Sequence, residues 1–249
     1  MDFDNKPVIT RNVVIMHRLI VLLPTKNEEE GVAEVIDGIP SGRVSELGFE
    51  TEIIVVDGNS SDSTCEIVSS KGVRLIRQVG EPGKGNGVRQ ALDEIFLEEY
   101  GEEDVLIMLD ADATYDPADI SEFLENLRDL DVVWGSRLRG RIEKGAMSKT
   151  NRLGNMILSF AASSLFFKRT TDLCTGYWGF KLNKLRNLHL TATGFTLEAD
   201  IFCSVVKSRF RTKEIPIDYA LREGESSLKW YKDGPRILGM AIKRRFSSS

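Results

Sequence analysis

The chain has 249 residues, 41% of them hydrophobic, which is enough to bury a full core in one large domain. A net charge of -5 and a pI near 5.3 argue against a generic nucleic-acid binder, because no chain-wide basic field would attract a polyanion. Three scattered cysteines, Cys65, Cys174 and Cys203, have neither metal-ligand spacing nor a disulfide framework and read as reduced thiols of a cytoplasmic protein.

The opening residues MDFDNKP are acidic and lack the apolar core of a signal segment, so secretion is not expected, and residues 1–18 read as an N-terminal arm. Residues 19–23, LIVLL, are wholly apolar and closed by Pro24, which suits a strand buried on both faces of a parallel sheet. A helix is predicted over 28–39, with Val32, Val35, Ile36 and Ile39 on one side. The same grammar then repeats: strand 52–56, helix 64–70, strand 73–76, helix 85–96, strand 105–109, helix 118–127 and strand 132–134. Short links between alternating strands and helices imply crossover connections, hence a doubly wound, mostly parallel α/β sheet. After about residue 137 the pattern becomes basic and mostly helical as far as 168. A segment with Gly176, Tyr177 and Trp178 follows, then a helix around Glu198 and Asp200, a strand at 212–217 and an amphipathic tail at 237–246. Residues 19–136 and 137–249 are read as two halves of one domain. No stretch reaches the roughly 20 apolar residues of a membrane span.

In open sheets of this kind ligands bind beyond the carboxyl ends of the strands. Three polar strings fall there: Pro24-Thr25-Lys26-Asn27-Glu28, Asp57-Gly58-Asn59-Ser60 and Asp110-Ala111-Asp112. Alternate side chains of an extended segment point the same way, so Asp110 and Asp112 project together where their strand gives out. Two like charges in one place need a compensating cation or hydrogen bonds, and a hard ion with oxygen ligands, Mg2+ or Mn2+, meets that need beside a diphosphate. Polar residues also commonly end strands and begin turns, as Asp116-Pro117 does here. Lys84, set between glycines in GKGNG, can bring an ammonium and backbone amides to a phosphate, or simply mark a flexible turn; the string is not a Walker loop. Glu29 and Glu30 read as partners of a helix dipole, and Asp62 as a helix cap.

Five strings in order, VLLPTKNEEEG, VVDGNSSDST, GKGNGVRQA, LDADATYDP and GSR, resemble the nucleotide-sugar domain of family 2 glycosyltransferases, the inverting GT-A fold. The likeness covers roughly residues 19–230. It implies that Pro24, Thr25, Asn27, Glu28, Asp57 and Lys84 bind the nucleotide, that Asp110 lies near the sugar and nucleotide, and that Asp112 holds a metal on the diphosphate. The family commonly reads Asp-Asp-Gly-Ser at the second strand end; here the second aspartate is missing, which leaves the base open.

The cations concentrate after the nucleotide half, and GSR at Gly135 to Arg137, RLGN at Arg152 to Asn155 and the Arg222 to Lys229 segment are similar to the polyprenyl-phosphate branch, the dolichyl-phosphate mannosyl- and glucosyltransferases. The resemblance implies that Arg137, Arg152, Asn155, Arg222, Ser226 and Lys229 hold an acceptor phosphate, and that Asp172 and Glu198 lie on the sugar side. A phosphate acceptor is already anionic and needs cations rather than a base. For an alcohol acceptor, Glu198 or Asp200 would be the candidate base. The expectation is a metal-dependent hexosyltransferase, peripheral on the inner face of the membrane, that moves a hexose from UDP-glucose, UDP-N-acetylglucosamine or GDP-mannose to dolichyl or polyprenyl phosphate. Residues 156–167 and 237–246 are its candidate interfacial helices. A transferase for a soluble hydroxyl and an inactive sugar-nucleotide-binding regulator are the alternatives.

Overall fold

The computed structural model describes residues 16–222 and 230–247. β1 (His17–Thr25) is the axis of the molecule: Leu19, Val21 and Leu23 face one side of the sheet, Ile20 and Leu22 the other, and all five are fully buried. It pairs in parallel with β2 (Phe49–Asp57), which pairs with β3 (Arg74–Arg77), and on its other edge with β4 (Val105–Met108). Between these strands run α1 (Val32–Gly38), α2 (Ser41–Glu46), α3 (Thr64–Ser70) and α4 (Lys84–Ile95), as crossovers of a parallel sheet require. Then come a 3-10 turn at Pro117–Asp119, α5 (Ile120–Leu127) and β5 (Val132–Ser136).

The second half completes the same sheet. α6 (Lys149–Phe166) is capped by Ser148, whose Oγ accepts from Asn151 N at 3.1 Å, and stopped by Phe167 in the left-handed region. β6 (Trp178–Lys181), α7 (Leu182–Leu185), α8 (Leu197–Lys207), β7 (Thr212–Pro216) and α9 (Trp230–Phe246) follow. The strand order is β3-β2-β1-β4-β6-β5-β7, with β6 antiparallel to both neighbours and β5 parallel to β7. α1 and α5 cover one face, while α4, α6, α8 and α9 cover the other.

The short helices α2 and α7 are not expected from the sequence, and two further differences bear on the site. The helix expected from residue 28 begins at Val32, after a turn in which Gly31 N and Val32 N both donate to the Glu28 carbonyl; Gly31 packs so close to the β4 turn that a Cβ there would sit 2.8 Å from the Asp112 carbonyl carbon. The Tyr177-Trp178 segment leads into a strand, β6, which has no alternation to betray it because all four of its residues are buried. Trp178 stacks on Trp134, and Tyr177 stacks on Phe123 with ring centres 4.4 Å apart, so both aromatic rings belong to the core.

Candidate active site

The carboxyl ends of β1, β2, β4 and β5 open on a cavity of about 760 Å3. β4 delivers Asp110 and Asp112 to its floor. After Asp112 the chain turns through Ala113, at a left-handed φ of 56°, and Thr114 donates to Asp112 Oδ1 from its N at 3.2 Å and its Oγ1 at 2.6 Å. The segment entering β6 is laid directly against Asp110: a Cβ at Gly176 would stand 2.3 Å from Asp110 Oδ2. Gly176 N is held by the Tyr115 hydroxyl at 2.9 Å.

Two cations touch this acidic floor. Lys84 Nζ lies 2.5 Å from Asp110 Oδ1 and 2.7 Å from Glu198 Oε1. Its glycine neighbours serve close packing, since a Cβ at Gly83 or Gly85 would run into the carbonyl oxygens of Thr193 and Ala192, so this is no flexible turn. Arg222 Nη1 lies 3.1 Å from Asp112 Oδ2, and its Nη2 lies 2.7 Å from Glu28 Oε1. Four cavity-lining carboxylates, Glu28, Asp110, Asp112 and Glu198, thus share two contacting cations, which leaves an excess of negative charge on the floor.

The ionisation of these groups reflects that excess. Burial pushes Glu28 up to about 7; Arg222 opposes the shift, and the charges of Asp112 and Asp110 add to it. Asp112 is also raised, by burial first and then by Asp110, against the hydrogen bonds from Thr114 and the charge of Arg222. Burial alone would lower Lys84, but Asp110 and then Glu198 outweigh it and raise its pKa.

The opposite wall is built differently. Arg137, just past β5, is buried and tied to the fully buried Asp172 by its backbone N at 3.0 Å, Nε at 2.8 Å and Nη2 at 2.7 Å, and Nη2 also donates to the Cys174 carbonyl. Asn155 of α6 donates to the same carboxylate at 2.6 Å. Arg137 and Asn155 line the cavity; Asp172 lies beneath them, outside its lining, so its expected place on the sugar side gives way to that of counter-ion to Arg137. Under Asp172 sits a residue the sequence reading missed. Glu214 of β7 accepts from Trp134 Nε1 (3.0 Å), Thr170 Oγ1 (2.9 Å), Thr171 N (2.7 Å) and Thr171 Oγ1 (2.8 Å), and so fixes the loop that carries Asp172. The buried position of its strand is Ile215, on the opposite face, so no pattern in the sequence marks Glu214.

The remaining expected residues separate into lining and bracing. Pro24, Thr25, Glu28 and Lys84 line the cavity; Asn27 and Asp57 do not. Asn27 Oδ1 accepts from Ser61 N at 2.8 Å, and both oxygens of the buried Asp57 accept from Ser60 N at 3.2 Å, so each carboxyl or amide oxygen shapes a loop rather than facing the cavity. Arg152 is exposed and outside the lining. Asp200 is fully buried, accepting from Thr191 N at 2.6 Å, Ala192 N at 2.7 Å and Arg244 Nε, so it braces the loop before α8 and cannot serve a substrate as base. Ser226 and Lys229 lie outside the described residues. Gln78, just after β3, lines the cavity and carries no motif that would single it out.

A sheet of this order with acidic residues at the end of its fourth strand is the GT-A fold of glycosyltransferases. Glucosyl-3-phosphoglycerate synthase from Mycobacterium tuberculosis, solved with Mn2+, uridine diphosphate and phosphoglyceric acid, superposes with a TM-score of 0.72 over 94% of this chain and 80% of that one, at 18% identity. The pattern of glycosyl transferase family 2 matches residues 20–188. In Haloferax volcanii, glycosyltransferase AglJ is 31% identical over 90% of this chain and 71% of its own length, and a dolichyl-phosphate hexose transferase is 34% identical over 90% and 92%. The chain belongs to glycosyl transferase family 2, and it is a glycosyltransferase.

Proposed function

We propose that the protein moves one hexose from a nucleotide diphosphate sugar to a polyprenyl phosphate, with inversion at the anomeric carbon. The observation that carries this reading is that the two carboxylates offered as a base for a hydroxyl acceptor are both engaged, Glu198 by Lys84 and Asp200 by two backbone amides and Arg244. An acceptor that arrives already ionised needs neither. The dolichyl-phosphate hexose transferase of Haloferax volcanii and a dolichol-phosphate mannosyltransferase of Pyrococcus furiosus, 26% identical over 85% of this chain, support the same acceptor class.

In this reading Pro24, Thr25, Glu28 and the turn built by Asn27 and Asp57 seat the nucleotide, and Lys84 stands beside the sugar-diphosphate bond. Asp110 and Asp112 offer oxygen donors with negative charge in excess, which fits a hard divalent ion such as Mg2+ or Mn2+. Among the described residues no cluster of three or more acidic, histidine or cysteine side chains is poised to hold one, so diphosphate and water would complete its shell. Bound there, the ion supplies Lewis acidity to the departing diphosphate. Arg137, its guanidinium oriented by Asp172, and Asn155 face the acceptor phosphate from the opposite wall, joined by Arg222. A phosphate oxygen attacks the anomeric carbon from the side opposite the diphosphate; the new carbon–oxygen bond forms as the old one breaks, and the nucleoside diphosphate leaves with the electron pair.

The acceptor's tail lies in a bilayer. α6 presents Leu153, Met156, Ile157 and Phe160 to solvent on one face, with Phe167 just beyond, while α9 exposes Ile242 and Phe246 near its basic end. No helix among the described residues is long and apolar enough to cross a membrane. This face supports peripheral attachment, on the inner leaflet, by insertion into the interface. The test is to offer the purified protein radiolabelled UDP-glucose, UDP-N-acetylglucosamine and GDP-mannose with dolichyl phosphate and Mn2+. Label entering the organic phase with one donor is expected; label appearing only on water-soluble acceptors would overturn the proposal.

A further inference from the structure

The cavity continues past the acidic floor to the ends of β2 and β3, where Thr25, Val56, Gly58, Gln78 and Gly87 line it. Among these residues Gln78 is the one with a functional side-chain amide, and that amide is held in one orientation. Gln78 is only 3% exposed, its backbone N donates to Asp57 O at 2.9 Å, and its Nε2 donates to the Glu81 carbonyl oxygen at 2.5 Å. Turning the amide over would set two carbonyl oxygens against each other, so the atom left for the cavity is Oε1. No group among the described residues donates to it, and it is not one of the fully buried unpaired polar atoms, so it stays accessible from the cavity. Two glycines keep the space around it clear: a Cβ at Gly87 would stand 3.1 Å from Oε1, and one at Gly58 would stand 3.6 Å from it, so longer side chains at either place would fill the approach.

A fixed acceptor at the end of the nucleotide pocket, open to the cavity and without a protein donor, loses its solvent when a ligand enters and is left unsatisfied unless that ligand brings an N–H to it. Building on the donor reading above, we propose that Gln78 selects the nucleobase of the sugar nucleotide, accepting a hydrogen bond from a protonated ring nitrogen flanked by a carbonyl. Uracil, through N3–H, and guanine, through N1–H, have that edge. Cytosine and adenine present a ring lone pair at the same point, which faces Oε1 with like polarity. A site built around one donor rejects an analogue that lacks it far more strongly than a hydrophobic pocket rejects a small change in size.

The test is calorimetric titration of the full chain, in Mn2+, with UDP, GDP, CDP and ADP, which share ribose and diphosphate and differ in base. UDP or GDP is expected to bind about 10- to 100-fold more tightly than CDP and ADP. Gln78→Met, similar in volume and without an acceptor of that strength, is expected to bring the four within about threefold of one another. A second arm leaves the protein untouched: N3-methyluridine diphosphate and N1-methylguanosine diphosphate, which lack the ring N–H, should bind about tenfold or more weakly than their parents. Equal binding of all four nucleotides, a preference that survives Gln78→Met in a folded variant, or methylated ligands that bind like their parents would overturn the role of Gln78 and leave the donor reading standing. Failure of all four nucleotides to bind would overturn both.

Discussion

On the donor wall, at the ends of β1 and β4, Glu28, Asp110 and Asp112 outnumber the cations that touch them; on the acceptor wall, past the end of β5, Arg137 is matched by a carboxylate of its own. The donor wall therefore has charge to give to an incoming cation. The acceptor wall has instead one guanidinium whose charge is balanced and whose direction is set, since Asp172 takes Nε and Nη2 and leaves Nη1 with no partner among the described residues. Balance on one side and imbalance on the other mean that metal and donor should order the first wall, whereas the second is ordered beforehand.

The comparison breaks most sharply at Asp112. Asp112→Ala should lower transfer by about a thousandfold or more while the melting temperature stays near that of the parent, because the side chain's partners are Thr114 and the half-buried Arg222 rather than the core. Full turnover in that variant would remove the acidic floor from the mechanism. On the other wall the expected effect falls on stability: Asp172→Ala leaves the buried Arg137 charge without its partner and should cost about 3–5 kcal/mol in a urea melt. A loss below about 1 kcal/mol would mean that Arg137 is not balanced by Asp172 at all.

Arg222 sharpens the contrast, because it is the cation that reaches both Asp112 and Glu28. Arg222→Ala should tighten Mn2+ binding about tenfold, read by the loss of free-ion spin resonance signal, while transfer falls. Unchanged Mn2+ affinity would show that Arg222 does not compete for Asp112.

The smallest effect lies away from the cavity but in the same acidic half. Burial pushes Asp119 up to about 6, with Asp116, Glu122 and Asp218 adding to the shift, and its Oδ2 is buried without a partner. Because the folded pKa exceeds the ordinary carboxylate value, this group's contribution to stability is complete at low pH and is lost as pH rises through about 6. Asp119→Asn should therefore stabilise the protein by about 1–2 kcal/mol at about pH 8 and by almost nothing at about pH 4. Equal effects at both pH values would contradict the shift.

What the sequence makes legible follows from the same contrast. Wholly apolar runs such as residues 19–23 and 105–108 announce buried parallel strands, and a strand's end locates the polar residue that follows it, so the residue order alone is enough to set Asp110 and Asp112 at the ligand-binding edge of the sheet. Pairings across long sequence separations are not legible in this way. Nothing local ties Arg137 to Asp172, 35 residues away, or Arg222 to Glu28, 194 residues away, so cations that read as free in the sequence are already engaged in the fold. Asp57 and Asn27 illustrate the reverse: polar residues at the right strand ends whose side chains turn back to hold their own loops. Gln78 carries no motif, as a lone glutamine does not; only its fixed amide, seen in three dimensions, distinguishes it.

The most direct test of the central claim is a crystal structure of the protein with Mn2+ and the nucleoside diphosphate of its donor. The ion should bridge the diphosphate to Asp112, with Arg222 drawn off that carboxylate and Arg137 unmoved against Asp172. A diphosphate seated away from Asp110 and Asp112, or an ion held elsewhere, would contradict it.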